Sequence, residues 1–311
     1  MAIAKNMCKC AKGELFMKEL LFKGVATALI TPFKENGDVD FCALGRLVEW
    51  QIEEGINALV ICGTTGEKAT LNDQEHCDVL RAAVKFAKGR VPIIAGTGSN
   101  DTAHAVWMTK EACKIGCDGV LVCTPYYNKT TQEGLVEMYN VIADASDVPV
   151  IVYNVPSRTG VAIEPSTYKE IAKHPKICGV KEANGDISKI AQTLSILGGS
   201  LPMYSGNDDQ IVPIMSLGGV GVISVLSNLC PRLTVQITDL ALKGNYKEAA
   251  KLQLKLIPLI NALFSEVNPI PVKAAMSELG FCNNKLRLPL VPMSAPKKEN
   301  MLKIMNELGI K

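Results

Sequence analysis

Val148-Pro149-Val150-Ile151-Val152-Tyr153-Asn154-Val155-Pro156-Ser157-Arg158-Thr159-Gly160 decides the reading of this chain, together with Ile177-Cys178-Gly179-Val180-Lys181-Glu182-Ala183 one helix further on. Each stretch begins as an apolar, β-branched run. Each ends on a polar residue able to do chemistry, Tyr153 in the first and Lys181 in the second. A lysine that terminates a buried strand is costly unless its charge is paired or its pKa is lowered. A lowered pKa turns it into a nucleophilic amine.

Runs of the same kind recur through the chain. They cover Val25 to Ile30, Ala58 to Cys62, Val91 to Ala95, Gly119 to Cys123, Val148 to Tyr153, Ile177 to Lys181, Leu201 to Ser205 and Gly221 to Val225. Counted from Gly24, their starts lie 20 to 34 residues apart, room for one strand, one helix and two loops. The runs are continuous rather than alternating, as in parallel strands buried on both faces. The intervening segments read as amphipathic helices. In Phe41 to Glu54, Leu44, Leu47, Val48 and Ile52 form one stripe, with Gly55 in the place of a C′ glycine. In Asp101 to Ile115, Ala105, Met108 and Ala112 share a face, and Asp101 suits an N-cap.

Eight such units predict an α/β fold, a closed (β/α)8 TIM barrel with a C-terminal α-helical extension. An open doubly wound sheet is the alternative. It usually carries a glycine fingerprint after its first strand, and here that strand runs into Thr31-Pro32-Phe33. The expected division is an N-terminal extension of low order over 1–21, the barrel over 22–243 and a helical domain over 244–311. The last 85 or so residues read as helices at Pro231 to Lys243, Tyr246 to Phe264, Pro271 to Leu279 and Lys298 to Leu308.

Composition narrows the function class. The 311 residues carry 33 basic and 31 acidic side chains, a balance that argues against a nucleic-acid partner. No apolar run is long enough for a membrane span. The 11 cysteines are odd in number, and Cys62, Cys123 and Cys178 lie in apolar runs, so a reduced, cytoplasmic protein is expected. Cys8-Lys9-Cys10 resembles half a metal site without a second half. His76, His104 and His174 share no ligand-spaced motif, and no metal or cofactor is expected.

A barrel holds its site at the C-terminal ends of its strands. There the sequence places Gly63-Thr64-Thr65-Gly66-Glu67, Thr124-Pro125-Tyr126-Tyr127-Asn128, Tyr153 followed by Arg158, Lys181, Ser205-Gly206-Asn207-Asp208, and Ile223-Ser224. A strand-end lysine taken alone reads as a solvated rim residue, and Arg158 taken alone as a surface charge. Their convergence on one barrel mouth gives the functional reading. A desolvated Lys181 would add to a ketone to give an iminium, an electron sink for an adjacent carbanion. Tyr153 could move the protons of that addition, with Thr64 and Tyr127 relaying them outward. The Gly-Thr-Thr-Gly loop offers backbone N–H groups to a carboxylate, and Arg158 offers a planar fork to a second one. Asp208 and Asp209 read as acids at a helix N-terminus.

Jointly, these motifs, with Gly179-Val180-Lys181-Glu182-Ala183, Gly221-Val222-Ile223-Ser224 and Asn268-Pro269-Ile270-Pro271-Val272-Lys273, resemble the dihydrodipicolinate synthase family over about residues 22–306. The resemblance implies a Schiff base between pyruvate and Lys181. It implies a proton relay of Thr64, Tyr127 and Tyr153, with Tyr127 reaching into a neighbouring subunit's site. Thr65 would hold the pyruvate carboxylate through its N–H, Arg158 the carboxylate of L-aspartate 4-semialdehyde, and the carbonyls of Gly206 and Ile223 would line the site. A homotetramer, a dimer of tight dimers, or a homodimer is implied. The related N-acetylneuraminate lyases and keto-sugar-acid aldolases share the Lys/Tyr pair. Arg158 favours the synthase, because an aldehyde with its own carboxylate needs that charge.

Departures from the family pattern bear on regulation. In lysine-inhibited relatives an interface cleft binds lysine, and a carboxylate there meets its ammonium. His104 occupies that position here, and Lys68 stands where a small residue is common. His76, Asn100 and Tyr126 match. Weak or absent lysine feedback is therefore expected. Asn207 replaces a frequent Asp, with no catalytic consequence foreseen.

Overall fold

The structure is a computed structural model and describes residue 18 and residues 20–310. Cys8, Cys10 and most of the expected N-terminal extension lie outside the described residues.

Eight parallel strands close into a barrel in sequence order: β1 (Gly24–Ala28), β2 (Ala58–Ile61), β3 (Ile93–Gly96), β4 (Gly119–Cys123), β5 (Val150–Asn154), β6 (Ile177–Glu182), β7 (Met203–Ser205) and β8 (Gly221–Ser224). Pairing of β1 with β8 completes the ring, so no strand edge is left open. Twelve helices are described: α1 (Phe41–Glu53), α2 (Asp73–Ala87), α3 (Thr102–Ile115), α4 (Gln132–Asp144), α5 (Pro156–Thr159), α6 (Pro165–Ile171), α7 (Ile187–Leu197), α8 (Ile211–Ser216), α9 (Pro231–Leu242), α10 (Tyr246–Leu263), α11 (Ile270–Glu278) and α12 (Ala295–Glu307). The first nine follow the strands. The last three pack beyond the barrel, as the sequence predicts. None is long and apolar enough to cross a membrane.

Local chemistry explains the boundaries. Asp101 caps α3, its carboxylate accepting from the Ala103 N–H at 2.9 Å. Asn72 and Glu75 form a reciprocal capping box on α2. In α1 the buried stripe is Ala43, Leu44, Leu47, Val48 and Gln51, whereas Ile52, expected on it, is only half-buried. Gln51 takes that inner position because it has partners there: it accepts from Thr27 Oγ1 at 2.6 Å and donates to the Ser227 carbonyl at 2.8 Å.

Strand alternation divides the core into two layers. Ala26, Ala28, Ala58, Val60, Ile94, Leu121, Ile151, Tyr153, Cys178 and Ile223 fill the barrel interior. Val25, Leu59, Ile93, Val120, Val150, Val152, Val180 and Val222 face the helices. Phe22 closes the N-terminal end of the barrel, stacked on Tyr204 at 4.3 Å between ring centres. Lys18 lies against the same end and donates to the carbonyls of His174 and Ile177 at 2.6 and 2.7 Å.

Candidate active site

Parity along β6 places the lysine. Val180 faces the helices, so Lys181 turns inward and Glu182 outward. In the β5–β6 register Tyr153 pairs with Lys181 and Asn154 with Glu182, so each pair shares a side of the sheet. The inner pair is in contact: Lys181 Nζ stands 4.3 Å from the centre of the Tyr153 ring. Both are buried, at 5% and 8% exposure. Burial pushes the Lys181 ammonium down to about 8, with Asp208 opposing this and the Arg158 charge adding to it. Burial pushes the Tyr153 phenol up to about 12, with Arg158 and the neighbouring Thr64 hydroxyl among the groups that alter it.

The outer pair anchors the inner one. Glu182 is fully buried. Its carboxylate accepts from Tyr168 Oη at 2.6 Å, from Asn154 Nδ2 at 2.9 and 3.1 Å, and from the Asn184 N–H at 2.9 Å. These bonds fix the ends of β5 and β6 against each other.

The β2 loop is held from a distance. Glu67 is left-handed, with φ 53°, and buried. Its carboxylate takes the Lys273 ammonium and the Arg287 N–H, the latter at 3.1 Å. Lys273 is itself fully buried, with its Nζ 4.2 Å from the centre of the Phe33 ring. Asn268 joins the loop to Arg158: its Nδ2 donates to Thr65 Oγ1 at 3.0 Å, and its carbonyl accepts from Arg158 Nη2 at 3.0 Å. Above the mouth lies a cavity of about 330 Å³ bordered by Thr64, Lys68, Tyr126, Arg158, Asn268 and Leu290, among others.

The remaining expected residues divide. Ile223 is buried in the barrel interior. Gly206 has no room for a side chain, since a Cβ would stand 2.7 Å from the Ala183 Cβ and 3.0 Å from the Glu182 carbonyl oxygen. Tyr127 does not join this cluster within one chain. It is 92% exposed and sits at φ 69°, a backbone conformation uncommon for a bulky side chain.

Of the expected regulatory residues, Lys68 and Tyr126 border the cavity. His76 is buried, pushed down to about 3 by desolvation and the Lys68 charge, and its Nε2 has no hydrogen-bond partner among the described residues. Asn100 contributes a carbonyl to Asn128 Nδ2 at 2.8 Å. His104 Nε2 lies 2.9 Å from Asp73 Oδ1.

Sequence reasoning passed over Asp73, Glu182, Asn268, Lys273 and Asp208 as functional parts. Asp208 does open the short 3-10 turn that leads into α8, as expected, but its carboxylate is also fully enclosed, accepting from Ser224 Oγ at 2.5 Å and from the Val225 and Leu226 N–H groups at 3.0 and 2.8 Å. Its place after β7, at the mouth, was the available signal.

A closed parallel barrel with a desolvated amine against a phenol at its C-terminal mouth defines an enzyme of the Schiff-base, class I aldolase kind. The chain belongs to the dihydrodipicolinate synthetase family, which it matches over residues 21–308. A 4-hydroxy-tetrahydrodipicolinate synthase from Caldicellulosiruptor bescii is 52% identical over 290 residues, 93% of this chain and 98% of that protein. The dihydrodipicolinate synthase of Thermotoga maritima superposes with a TM-score of 0.92 at 43% identity, over 94% of this chain and 100% of that one. The Acinetobacter baumannii enzyme, solved in complex with pyruvate, superposes at 0.91 with 42% identity, over 93% and 99%.

Proposed function

We propose that this chain is a 4-hydroxy-tetrahydrodipicolinate synthase, a lyase that condenses pyruvate with L-aspartate 4-semialdehyde through a Schiff base on Lys181. The observation that carries the residue assignment is the contact of the buried Lys181 amine with Tyr153 at the barrel mouth. The free amine adds to the ketone carbon of pyruvate, and loss of water leaves an iminium. Loss of a methyl proton gives the enamine, whose carbon attacks the aldehyde. The amino group of the semialdehyde moiety then adds to the iminium carbon, closing the ring and releasing Lys181. Tyr153 and Thr64 move the protons of these steps. The Thr65 N–H receives the pyruvate carboxylate, Arg158 the second carboxylate, and the carbonyls of Gly206 and Ile223 line the pocket.

Tyr127 completes the relay in a second copy of the chain, in a homodimer or a tetramer built from two dimers. Its exposed ring and left-handed backbone support this reading. The described cysteines are free thiols, which suits a cytoplasmic enzyme. Lys68, His76, Asn100, His104 and Tyr126 form a regulatory cleft with weak affinity for lysine.

Borohydride trapping with pyruvate followed by peptide mapping tests the mechanism: an adduct on any residue other than Lys181 overturns it. A coupled assay of aspartate semialdehyde against N-acetylneuraminate then tests the substrate, and cleavage of the sugar acid alone would favour the lyase.

A further inference from the structure

Three buried carboxylates stand near the mouth. Glu67 is neutralised by Lys273. Glu182 is turned to the outer layer and held by Tyr168, Asn154 and Asn184. Asp208 is different. All its hydrogen bonds go to the end of β8, and among the described residues no lysine or arginine forms an ion pair with it.

Its place in the fold gives it a cation at longer range. β7 runs beside β6, with Tyr204 opposite Lys181 and Ser205 opposite Glu182. Asp208 follows three residues after Ser205, and so leaves the barrel from the strand next to that of the amine. The other groups around Lys181 do not supply a negative charge. Tyr153 from β5 and Tyr204 from β7 are phenols held in the protonated form by burial, Cys178 is a thiol held protonated in the same way, and Arg158 from the β5 loop is cationic.

We propose that Asp208 is a positioning residue for the amine: anchored on the end of β8, it supplies the counter-charge of the Lys181 ammonium and of the iminium that replaces it. Asp208 opposes the downward push of burial on Lys181, in keeping with that role. Burial raises the Asp208 carboxyl above its usual value, and the three donors and the Lys181 charge oppose that push and favour the charged form.

The proposal rests on Lys181 being the Schiff-base residue, and the experiment separates the two. In Asp208→Asn the two N–H bonds can be kept by the amide oxygen, while the amide nitrogen donates to a Ser224 hydroxyl turned to accept; only the charge is lost. The pH profile of pyruvate trapping by cyanoborohydride is measured, with peptide mapping of the adduct. The midpoint is expected to fall by about one pH unit, the low end for removal of an opposite charge, while kcat falls because the iminium has lost its partner. An unmoved midpoint in a folded variant, with the adduct still on Lys181, overturns the role of Asp208. An adduct elsewhere overturns the Schiff-base assignment instead.

Ser224→Ala gives a second reading, needed should Asp208→Asn fail to fold. Removing the hydroxyl takes away one of the donors that favour the charged carboxylate, so the counter-charge weakens and the midpoint is expected to fall, as in Asp208→Asn. A loss of activity at an unchanged midpoint would assign Asp208 to shaping β8 alone and overturn the proposal.

Discussion

Lys181 Nζ stands over the face of the Tyr153 ring, 4.3 Å from its centre, on paired positions of adjacent strands. The ring therefore has two separable functions. Its face stabilises the ammonium by about 0.5–2 kcal/mol, and its hydroxyl moves protons. The strand register fixes their relation, because the two Cα positions are opposite each other in the ladder.

Tyr153→Phe should keep the first function and lose the second. Lys181 should still form the pyruvate adduct, whereas kcat should drop by about 10²- to 10⁴-fold, the usual contribution of a positioned acid–base. Mass spectrometry of the trapped adduct and steady-state kinetics measure the two separately. Wild-type turnover in Tyr153→Phe would remove the phenol from the mechanism.

The pH dependence follows from the amine. Burial brings Lys181 down to about 8 in the resting enzyme. The ammonium dominates below that value, so at pH 7 about a tenth of the molecules hold a free amine. The rate of adduct formation should rise about tenfold per pH unit toward pH 8 and level off above it. A profile flat from pH 6 to 9 would show that deprotonation of the amine does not limit attack.

Among the described residues Arg158 makes one side-chain hydrogen bond, to the Asn268 carbonyl at 3.0 Å, and it borders the cavity. Arg158→Ala should lower kcat/KM for aspartate semialdehyde by about 10- to 100-fold, the value of a hydrogen bond to a charged group. Pyruvate trapping should proceed as in the wild type. Equal losses for both substrates would mean that Arg158 supports the whole mouth rather than one carboxylate.

The Glu67–Lys273 pair is buried on both sides. Lys273→Met leaves an unpaired carboxylate in the interior and should destabilise the fold by about 3–5 kcal/mol. The double variant Glu67→Gln/Lys273→Met should recover most of that loss. Urea unfolding of the three proteins checks this. A single variant as stable as the wild type would mean that the β2 loop relaxes around the lost partner.

The expected regulatory cleft has acquired a pair of its own. His104 Nε2 lies 2.9 Å from Asp73 Oδ1, and burial lowers the Lys68 ammonium at the cavity border, with Cys123 and Cys62 opposing. Where Lys68 keeps its proton, a lysine ligand in this cleft would face a like charge. Sub-millimolar lysine should leave the rate unchanged, and Lys68→Ser should increase sensitivity to it. Strong inhibition of the wild type would show that Asp73 serves the ligand's ammonium despite His104.

The barrel was legible because its runs are continuous and evenly spaced, and the errors at strand starts share one cause. Val91, Val148 and Leu201 each precede a proline, and pairing begins only after it, at Ile93, Val150 and Met203. A proline has no N–H for the ladder. Its carbonyl still accepts from the neighbouring strand: Pro92 from Leu59 at 3.0 Å, Pro149 from Val120 at 3.0 Å and Pro202 from Val180 at 2.8 Å.

Residues at strand ends were legible for the same reason as the strands: Lys181 and Tyr153 interrupt apolar runs. What escaped were partners brought together by closure. Glu67 and Lys273 are separated by 206 positions, and no local period links them. Asp208 is the helix acid that the sequence suggests, but its three donors, Ser224 at the end of β8 and the Val225 and Leu226 N–H groups just after it, could not be read from that local pattern.

The grip of Lys273 and Arg287 on Glu67 also orders events during synthesis. The β2 loop emerges early from the ribosome, but two of its anchors are encoded more than 200 positions later. A nascent chain that has completed all eight strands still lacks the groups that set Thr64 and Thr65. A nascent chain halted before residue 273 would therefore hold a β2 loop whose buried Glu67 lacks the ammonium that neutralises it.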